Sequence, residues 1–299
     1  MPIVSVIIPT YGTPDRLERT VRSVLGQTLD DLELFVVDDN EPDSDARKET
    51  AEIMARFIAE DKRVKYLCHE HNKNGSAARN TGMRAASGKY ISLLDSDDEY
   101  LPQRLEICVK TLEQSTNPKA QAVYTGCEYR KNDQTYRLMT GTRTGNFMVD
   151  FLRLSFNLYT GSNIFLAKAA ADSLNGFDEA FIRNQDVEYM IRFFEKYDII
   201  GVPDVLVIKN FDGKNKPSVE KLENVKKLFF EKFQPLIETL SKRDQRLIYG
   251  AHYGDLVVLC LGEKKYGKAF HYFKLVCCRR AFTLRKLIRF GAAFLRSLK

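Results

Sequence analysis

No stretch of this 299-residue chain stays apolar for the eighteen or so residues that a membrane-spanning helix needs, the longest candidate being 256–261. A chain that crosses a bilayer is not expected. The six cysteines, Cys68, Cys108, Cys127, Cys260, Cys277 and Cys278, form no CxxC pair and the four histidines give no HxxxH, so free thiols rather than a zinc site are expected. No GxGxxG follows the first apolar run, which argues against a dinucleotide reductase. Met1-Pro2 leads straight into a short apolar run carrying Ser5, without the basic start and cleavable apolar core of a secretory signal, so a cytosolic protein is expected. With 44% hydrophobic and 29% charged residues, disorder and a fibrous repeat are excluded. Acidic residues are missing from one place in particular: 264–299 holds eleven Lys/Arg and no Asp or Glu, whereas 1–263 carries 35 basic and 40 acidic residues. An acidic body ends in a basic tail.

The length, about twice that of a common domain, suits one large α/β domain with an appendage or two unequal domains. Nearly continuous apolar runs at 3–9, 32–37, 64–67 and 90–94 suit strands covered on both faces, as in a parallel sheet. Helical patterns fill the gaps: one opened by a Thr13 cap and first-turn Pro14, others near 49–59, 76–86 and 102–114. The rhythm predicts an open, mostly parallel α/β sheet with helices on both faces. Beyond it come a strand at 122–125, polar turns around 131–145, an apolar segment at 162–166, a helix over 186–197 and a strand over 202–208. The turn-rich loop 211–217 reads as a boundary, followed by a C-terminal helical extension with a break near Pro235.

In such sheets ligands bind beyond the carboxyl ends of the strands. The first strand delivers Pro9, Thr10 and Tyr11 there, the second Asp38 and Asp39, and the fourth Asp95, Ser96, Asp97 and Asp98. Asp95-Ser96-Asp97 places two carboxylates, with nothing basic beside them, where a buried strand opens to solvent. Few ligands, all oxygen, suit Mg²⁺ or Mn²⁺, which keep waters and bridge to substrate phosphates. A helix cap is the plainer use of the same acids. Gly75 to Asn80 sets small residues at a helix start with Arg79 in the first turn, where backbone N–H groups and a guanidinium can meet a diphosphate. Asp38-Asp39 stands where such folds hold a base or ribose, and equally reads as a hydrogen-bonded turn.

Together, Pro9-Thr10-Tyr11, Val36-Val37-Asp38-Asp39, the stretch from Gly75 to Gly82, Gly88-Lys89-Tyr90-Ile91 and Leu94-Asp95-Ser96-Asp97-Asp98 resemble glycosyltransferase family 2 of the GT-A fold, in order and spacing, over 1 to about 210. The resemblance implies an inverting enzyme that moves one sugar from a nucleotide-sugar, most simply a UDP-sugar, to a glycan or polyprenyl-linked glycan, as in cell-surface polysaccharide synthesis. Asp39 would bind the uracil, Asp95 the ribose or sugar, Asp97 of the DXD motif the metal, and Arg79 would lie against the donor. The base would be Asp186, ten residues after Gly176, which opens the Gly176-Phe177-Asp178-Glu179 segment. Here Gln185 replaces the family's usual Glu, which puts in doubt the help that carboxylate gives its neighbour. A catalytically weak, membrane-docked nucleotide-sugar-binding module is the alternative. The processive synthases of the family carry transmembrane helices and QxxRW; with no tryptophan this chain does not match them.

The implied division is a catalytic domain over 1–215, with a nucleotide-sugar half near 1–115 and an acceptor half near 116–215, then a helical extension over 216–299. Within the extension, the stretch from 283 onward at 100° per residue gathers Leu284, Leu287, Ile288, Gly291, Leu295 and Leu298 on one side and Arg285, Lys286, Arg289, Arg296 and Lys299 on the other. Such a basic amphipathic helix suits an anionic membrane surface, placing the protein on the inner face of the cell membrane; docking on the catalytic domain is the other use of that face. No nucleic-acid motif accompanies it, so nucleic acid is not expected as a partner.

Overall fold

A computed structural model describes residues 1–141, 143–211, 217–279 and 284–297, without the side chains of 284–289 and 296. Gly213, Lys214 and Lys216, in the loop expected as a boundary, lie outside the described residues, as do the tail side chains of Leu284, Arg285, Lys286, Leu287, Ile288, Arg289 and Arg296, with Leu298 and Lys299. The chain forms two units: 1–147 with 158–212, and 148–157 with 213–299. The second unit takes in ten residues that lie, by sequence, within the acceptor half.

The first unit runs β1 Val4–Thr10, α1 Pro14–Leu25, β2 Leu32–Asp38, α2 Asp45–Glu60, β3 Val64–Cys68, α3 Gly75–Ala85, β4 Tyr90–Leu93, β5 Glu99–Tyr100, α4 Arg104–Glu113, β6 Ala120–Lys131 and β7 Gln134–Met139. After the excursion α5 Met148–Leu152 into the second unit it resumes with β8 Phe165–Ala167, α6 Lys168–Asp172, α7 Gln185–Phe194 and β9 Asp198–Asn210. One sheet has the order β3-β2-β1-β4-β8-β6-β9-β5, with β7 on β6. Six of its nine strands run the same way; β8, β5 and β7 run against them. β2 and β4 flank β1 on opposite sides, so the switch point opens at the carboxyl ends of β1 and β4, beside Pro9–Tyr11 and Asp95–Asp98.

Helices cover both faces. Val4, Val6 and Ile8 pack with Leu17, Val21 and Val24 of α1, Met54 and Phe57 of α2 and Leu105 of α4. On the other face α3 lies so close to β1 that a Cβ at Gly82 would overlap Ile7, which is why this helix carries a glycine mid-length. Two expectations change. The polar stretch after Lys131 is not a run of turns but the strand β7, whose exposed residues pair with β6 without a hydrophobic signature. Thr13 precedes α1 as expected, yet makes no side-chain cap; its Oγ1 instead meets Ser96 Oγ at 2.8 Å.

A buried acid ties the first three strands together. Glu33 of β2 accepts from Ser5 Oγ at 2.6 Å, Lys65 Nζ at 2.5 Å and Ser87 N at 2.7 Å. Burial pushes its pKa up, but these donors outweigh burial and bring it from 4.5 to about 2. A depressed pKa means that the carboxylate stabilises the fold above about pH 4.5 and that this contribution is lost as pH falls towards 2, in total roughly 3 kcal/mol. Glu33→Gln is therefore expected to lower the urea-unfolding free energy at pH 7 by about 2–3 kcal/mol, with the gap to wild type closing below pH 4.5. An unchanged gap at pH 7 and pH 3 contradicts this account.

The second unit is helical: α5, α8 Val219–Thr239, α9 Lys242–Gly262, α10 Tyr266–Cys278 and α11 Leu284–Ser297. Ser218 and Ser241 cap α8 and α9, accepting from Lys221 N and Asp244 N. Pro235 does not break α8, contrary to the sequence expectation. Val225, Phe229, Phe233 and Ile237 are buried along one face through the proline, and that packing outweighs the lost hydrogen bond. No described helix is long and apolar enough to cross a membrane.

Candidate active site

The site is assembled around α3. Asn74, at φ 90°, caps the helix by accepting from Ser76 N at 2.8 Å and Ala77 N at 3.3 Å. These amides, expected to face a diphosphate, are thus already used. Three polar residues near the start of α3 fasten the distant segment 177–181: Ser76 Oγ donates to Phe181 O, Asn74 Nδ2 to Glu179 O, and Asn80 Nδ2 to Phe177 O, while Phe177 N donates to Asn80 Oδ1 at 2.7 Å. The Gly176-Phe177-Asp178-Glu179 motif is therefore a clasp. It delivers the first turn of α7, Gln185 and Asp186, to the face of α3 that carries Arg79.

Arg79 joins the pieces. Its Nη2 donates to Asp95 Oδ1 at 2.6 Å and its Nη1 to Gln185 Oε1 at 2.7 Å. Both side chains cross over Gly75, where a Cβ would come within 3.0 Å of Arg79 Nη1 and 3.1 Å of Gln185 Oε1. Gln185 takes the guanidinium's second fork without taking its charge, so the cation is shared with one acid only. Burial alone would raise the Asp95 pKa, and the charges of Arg79 and Lys209 reverse this and hold it below its ordinary value. Asp186, in the first turn of α7 with Asn184 as the N-cap residue, behaves oppositely: burial holds its pKa above the usual aspartate value. A Cβ on Gly161 would stand 3.8 Å from both Asp186 Cβ and Asp95 Oδ2, so the backbone at 161 borders the space between the two acids.

The turn 160–163 organises the rest. Ser162 Oγ accepts from Asp95 N at 3.0 Å and donates to Asp98 Oδ2 at 2.5 Å. Beneath it the fully buried Arg104 donates to Thr125 Oγ1 at 2.9 Å and Asn163 Oδ1 at 3.1 Å, and packs over the Tyr100 ring. Lys209, at the end of β9, reaches Thr160 Oγ1 at 3.1 Å and Asp98 Oδ2 at 3.8 Å. Its ammonium is held charged against burial by Asp98, Asp95 and Asp97. Burial pushes Asp98 up to about 7, Lys209 opposing and the charges of Asp97 and Asp95 adding. Asp97 is raised by burial and then by Asp95, with Arg16 3.8 Å away.

Not every expected residue joins this cluster. Asp38 is fully buried: Oδ1 accepts from Asn40 N and Nδ2, and Oδ2 from Tyr66 OH, with Arg47 Nε 3.3 Å away. Asp39 accepts from His69 Nδ1 at 2.7 Å and Lys73 N at 2.8 Å on Oδ1, and from Asn72 Nδ2 and Asn74 N, both at 2.9 Å, on Oδ2. Its four lone-pair directions are all taken by the segment 69–74. At the end of β1, Pro9 is half-buried, Thr10 Oγ1 is buried without a hydrogen-bond partner, and Tyr11 is 61% exposed. Ser96 meets Thr13 by its hydroxyl and accepts from Thr20 Oγ1 on its carbonyl. The sequence suggests 160–163 as pocket lining and 209–218 as a loop near the donor without specifying what Ser162 or Lys209 does there, because a lysine ending an apolar strand and a serine in a small-residue turn are both commonplace.

Among the described residues no three His, Cys, Asp or Glu side chains gather as a metal cage. A divalent ion with one or two carboxylates, waters and phosphate oxygens still fits Asp97 and Asp95, since the Asp97 carboxylate is partly exposed with Arg16 no nearer than 3.8 Å and Asp95 holds Arg79 through Oδ1.

Comparison with known proteins identifies the family and the fold. The sequence model of Glycosyl transferase family 2 matches residues 5–171. A GalNAc(5)-diNAcBac-PP-undecaprenol beta-1,3-glucosyltransferase of Campylobacter jejuni is 32% identical over 142 residues, 47% of this chain and 43% of that protein. The chain spans 19% to 68% of the length of the first curated relatives it matches. Two solved structures share the fold at a TM-score of 0.59. One is S. aureus TarS in complex with UDP-GlcNAc, 14% identical, covering 92% of this chain and 90% of that one. The other is a mannosyltransferase of Pyrobaculum calidifontis in complex with GDP-Man and Mn²⁺, 16% identical, covering 100% and 81%. With more than half of its length matched, the chain belongs to glycosyltransferase family 2.

Proposed function

We propose that this chain is an inverting, metal-dependent glycosyltransferase that moves one sugar from a UDP-sugar to a glycan or polyprenyl-linked glycan, with Asp186 as the general base. The observation that carries the reading is the approach of Asp186 and Asp95, from segments some ninety residues apart, to the two sides of Gly161, with Arg79 spanning Asp95 and Gln185. The acceptor class is supported by the name of the Campylobacter relative, and the donor class by the nucleotide-sugar complexes of the two structures.

In the reaction the bond from the anomeric carbon to the diphosphate oxygen breaks and its electron pair leaves with the nucleotide. The acceptor oxygen forms the new bond from the opposite face and passes its proton to Asp186. Arg79 and Lys209 place fixed positive charge where the leaving group gains negative charge. Mn²⁺ or Mg²⁺ held by Asp97, with Asp95, would supply Lewis-acid stabilisation of that diphosphate. Asp95 and Ser96 line the donor side of the cluster. Tyr11 offers an exposed ring for the base beside Pro9 and Thr10, while Asp38 and Asp39 act indirectly, Asp39 by holding 69–74 against the ends of β1 and β2. The 1–215 division serves this chemistry, and the basic helical extension meets an anionic membrane surface.

The reading is tested by nucleotide release from UDP- and GDP-sugars with Mn²⁺ and after chelation. UDP release that needs the ion and is lost in Asp97→Ala supports it; no release from any common donor overturns it. The binding-module alternative predicts donor binding without release. Gly161 gives a sharper local test. Its Cβ direction has ordinary contact room, so Gly161→Ala is expected to be active, whereas Gly161→Leu projects carbon between the two acids and is expected to lower kcat by about 100-fold. Equal activity of the two variants would show that substrate does not pass there.

A further inference from the structure

The second unit holds an apolar cavity of about 410 Å³ that the chemistry above leaves unused. It is lined by Val257 and Leu261 from α9, Phe270 and Phe273 from α10, and Phe290 and Phe294 from α11. The volume lies in the range of small-molecule sites. Its rim is apolar as well: Phe270 is 59% and Phe294 47% exposed, and Leu295 beside it is exposed. Side chains of this kind in water, next to an apolar cavity, mark a surface that another molecule covers.

The surrounding charge says what kind of molecule. The stretch 264–299, which supplies α10, α11 and much of the lining, has eleven Lys/Arg and no acid, and of these Lys265 and Lys268 are paired with Glu220, Glu263 and Glu223. Lys274 is exposed at the rim, its Nζ 4.6 Å from the Phe270 ring centroid. An apolar chain with an anionic head satisfies both features at once, since cavity and rim take the hydrocarbon while Lys274 meets phosphate. We infer that this cavity binds the proximal isoprenoid units of a polyprenyl phosphate or diphosphate, the lipid end of the acceptor. The inference rests on the acceptor class proposed above and adds a site for its lipid. Because a single chain enters one cavity, the uptake is distinct from electrostatic adsorption of the basic surface to any anionic bilayer.

The absence of tryptophan allows a direct measurement. Phe294→Trp creates the only indole in the chain, at the cavity rim. Titration of this full-length variant with farnesyl phosphate is expected to shift its emission to the blue, whereas inorganic diphosphate leaves it unchanged. Gly291 lines the same cavity and has nothing within 4 Å of its Cβ direction, so Gly291→Phe in the same background fills the space without removing a charge. It is expected to weaken farnesyl phosphate binding by about tenfold or more while binding to phosphatidylglycerol vesicles persists. Lys274→Gln, a surface change that leaves the packing intact, is expected to weaken farnesyl phosphate a few-fold and leave farnesol uptake unchanged.

No shift with farnesyl phosphate, an equal affinity in the filled variant, or loss of vesicle and prenyl binding together overturns the inference. So does a blue shift that grows with protein concentration in the absence of lipid, which would make the cover a second copy of the chain. Nucleotide release is read in parallel. Prenyl uptake without release would sink the enzymatic reading and keep the lipid site, and release without uptake would do the reverse.

Discussion

Asp186→Asn is expected to lower kcat for sugar transfer by about 10²–10⁴-fold while the donor KM stays near that of the wild type, since the lost group acts on the acceptor proton and not on the nucleotide. The pH dependence carries the sign of the shift. A base works only when ionised, so activity falls as pH drops through its pKa. Burial holds the Asp186 pKa above 3.8, with the Val187 amide and Arg79 opposing. The acid limb of the kcat profile should therefore lie above the ordinary aspartate range, and the residual activity of Asp186→Asn should lack that limb. The profile is measured at saturating donor and acceptor. A full-rate Asn variant, or a limb retained in it, would remove Asp186 from the role of base.

The second large effect is at Arg79. Arg79→Met is expected to reduce kcat/KM for the donor by about 10²–10³-fold, the scale of losing one preorganised charge-stabilising donor. Its partners explain why lysine should not rescue it. The guanidinium spans Asp95 at 2.6 Å and Gln185 at 2.7 Å in opposite forks, and a lysine ammonium reaches one or the other. Arg79→Lys should consequently retain donor binding better than Met and still fall well below wild type in kcat. Arg79 and Asp95 are largely shielded, at 14% and 28% side-chain exposure, so removal also leaves an acid underpaired, and urea unfolding of the Met variant separates that loss from the kinetic one. A Met variant with wild-type kcat/KM would detach Arg79 from the donor.

How much of this could be read without coordinates varies along the chain. The first four strands were legible because a strand buried on both faces has to be apolar throughout, and helical periodicity between them leaves few topologies. β7 was not, since a strand paired along one edge and open to water carries no apolar pattern. β8, three residues long and inserted between β4 and β6 against their direction, is too short for periodicity to register. Pro235 misled for the opposite reason: a strong local breaker is overruled by four buried residues packed along the same helix face.

The site divides in the same way. Which residue types stand at the carboxyl ends of β1, β2 and β4, and the family they mark, was written in the order and spacing of short motifs. So was the charge contrast between body and tail. What those residues do was decided by which hydrogen-bonding atoms the fold had already committed. Asp38 and Asp39 look alike in sequence, yet one is sealed against Arg47 and Asn40 and the other against four donors of 69–74. Lys209 and Ser162 enter the cluster only because β9 and the turn at 160–163 converge on Asp98. The physical reason is range: propensity and apolar pattern act between near neighbours along the chain, whereas a carboxylate's charge state and free lone pairs depend on groups brought within a few ångströms by segments a hundred residues away.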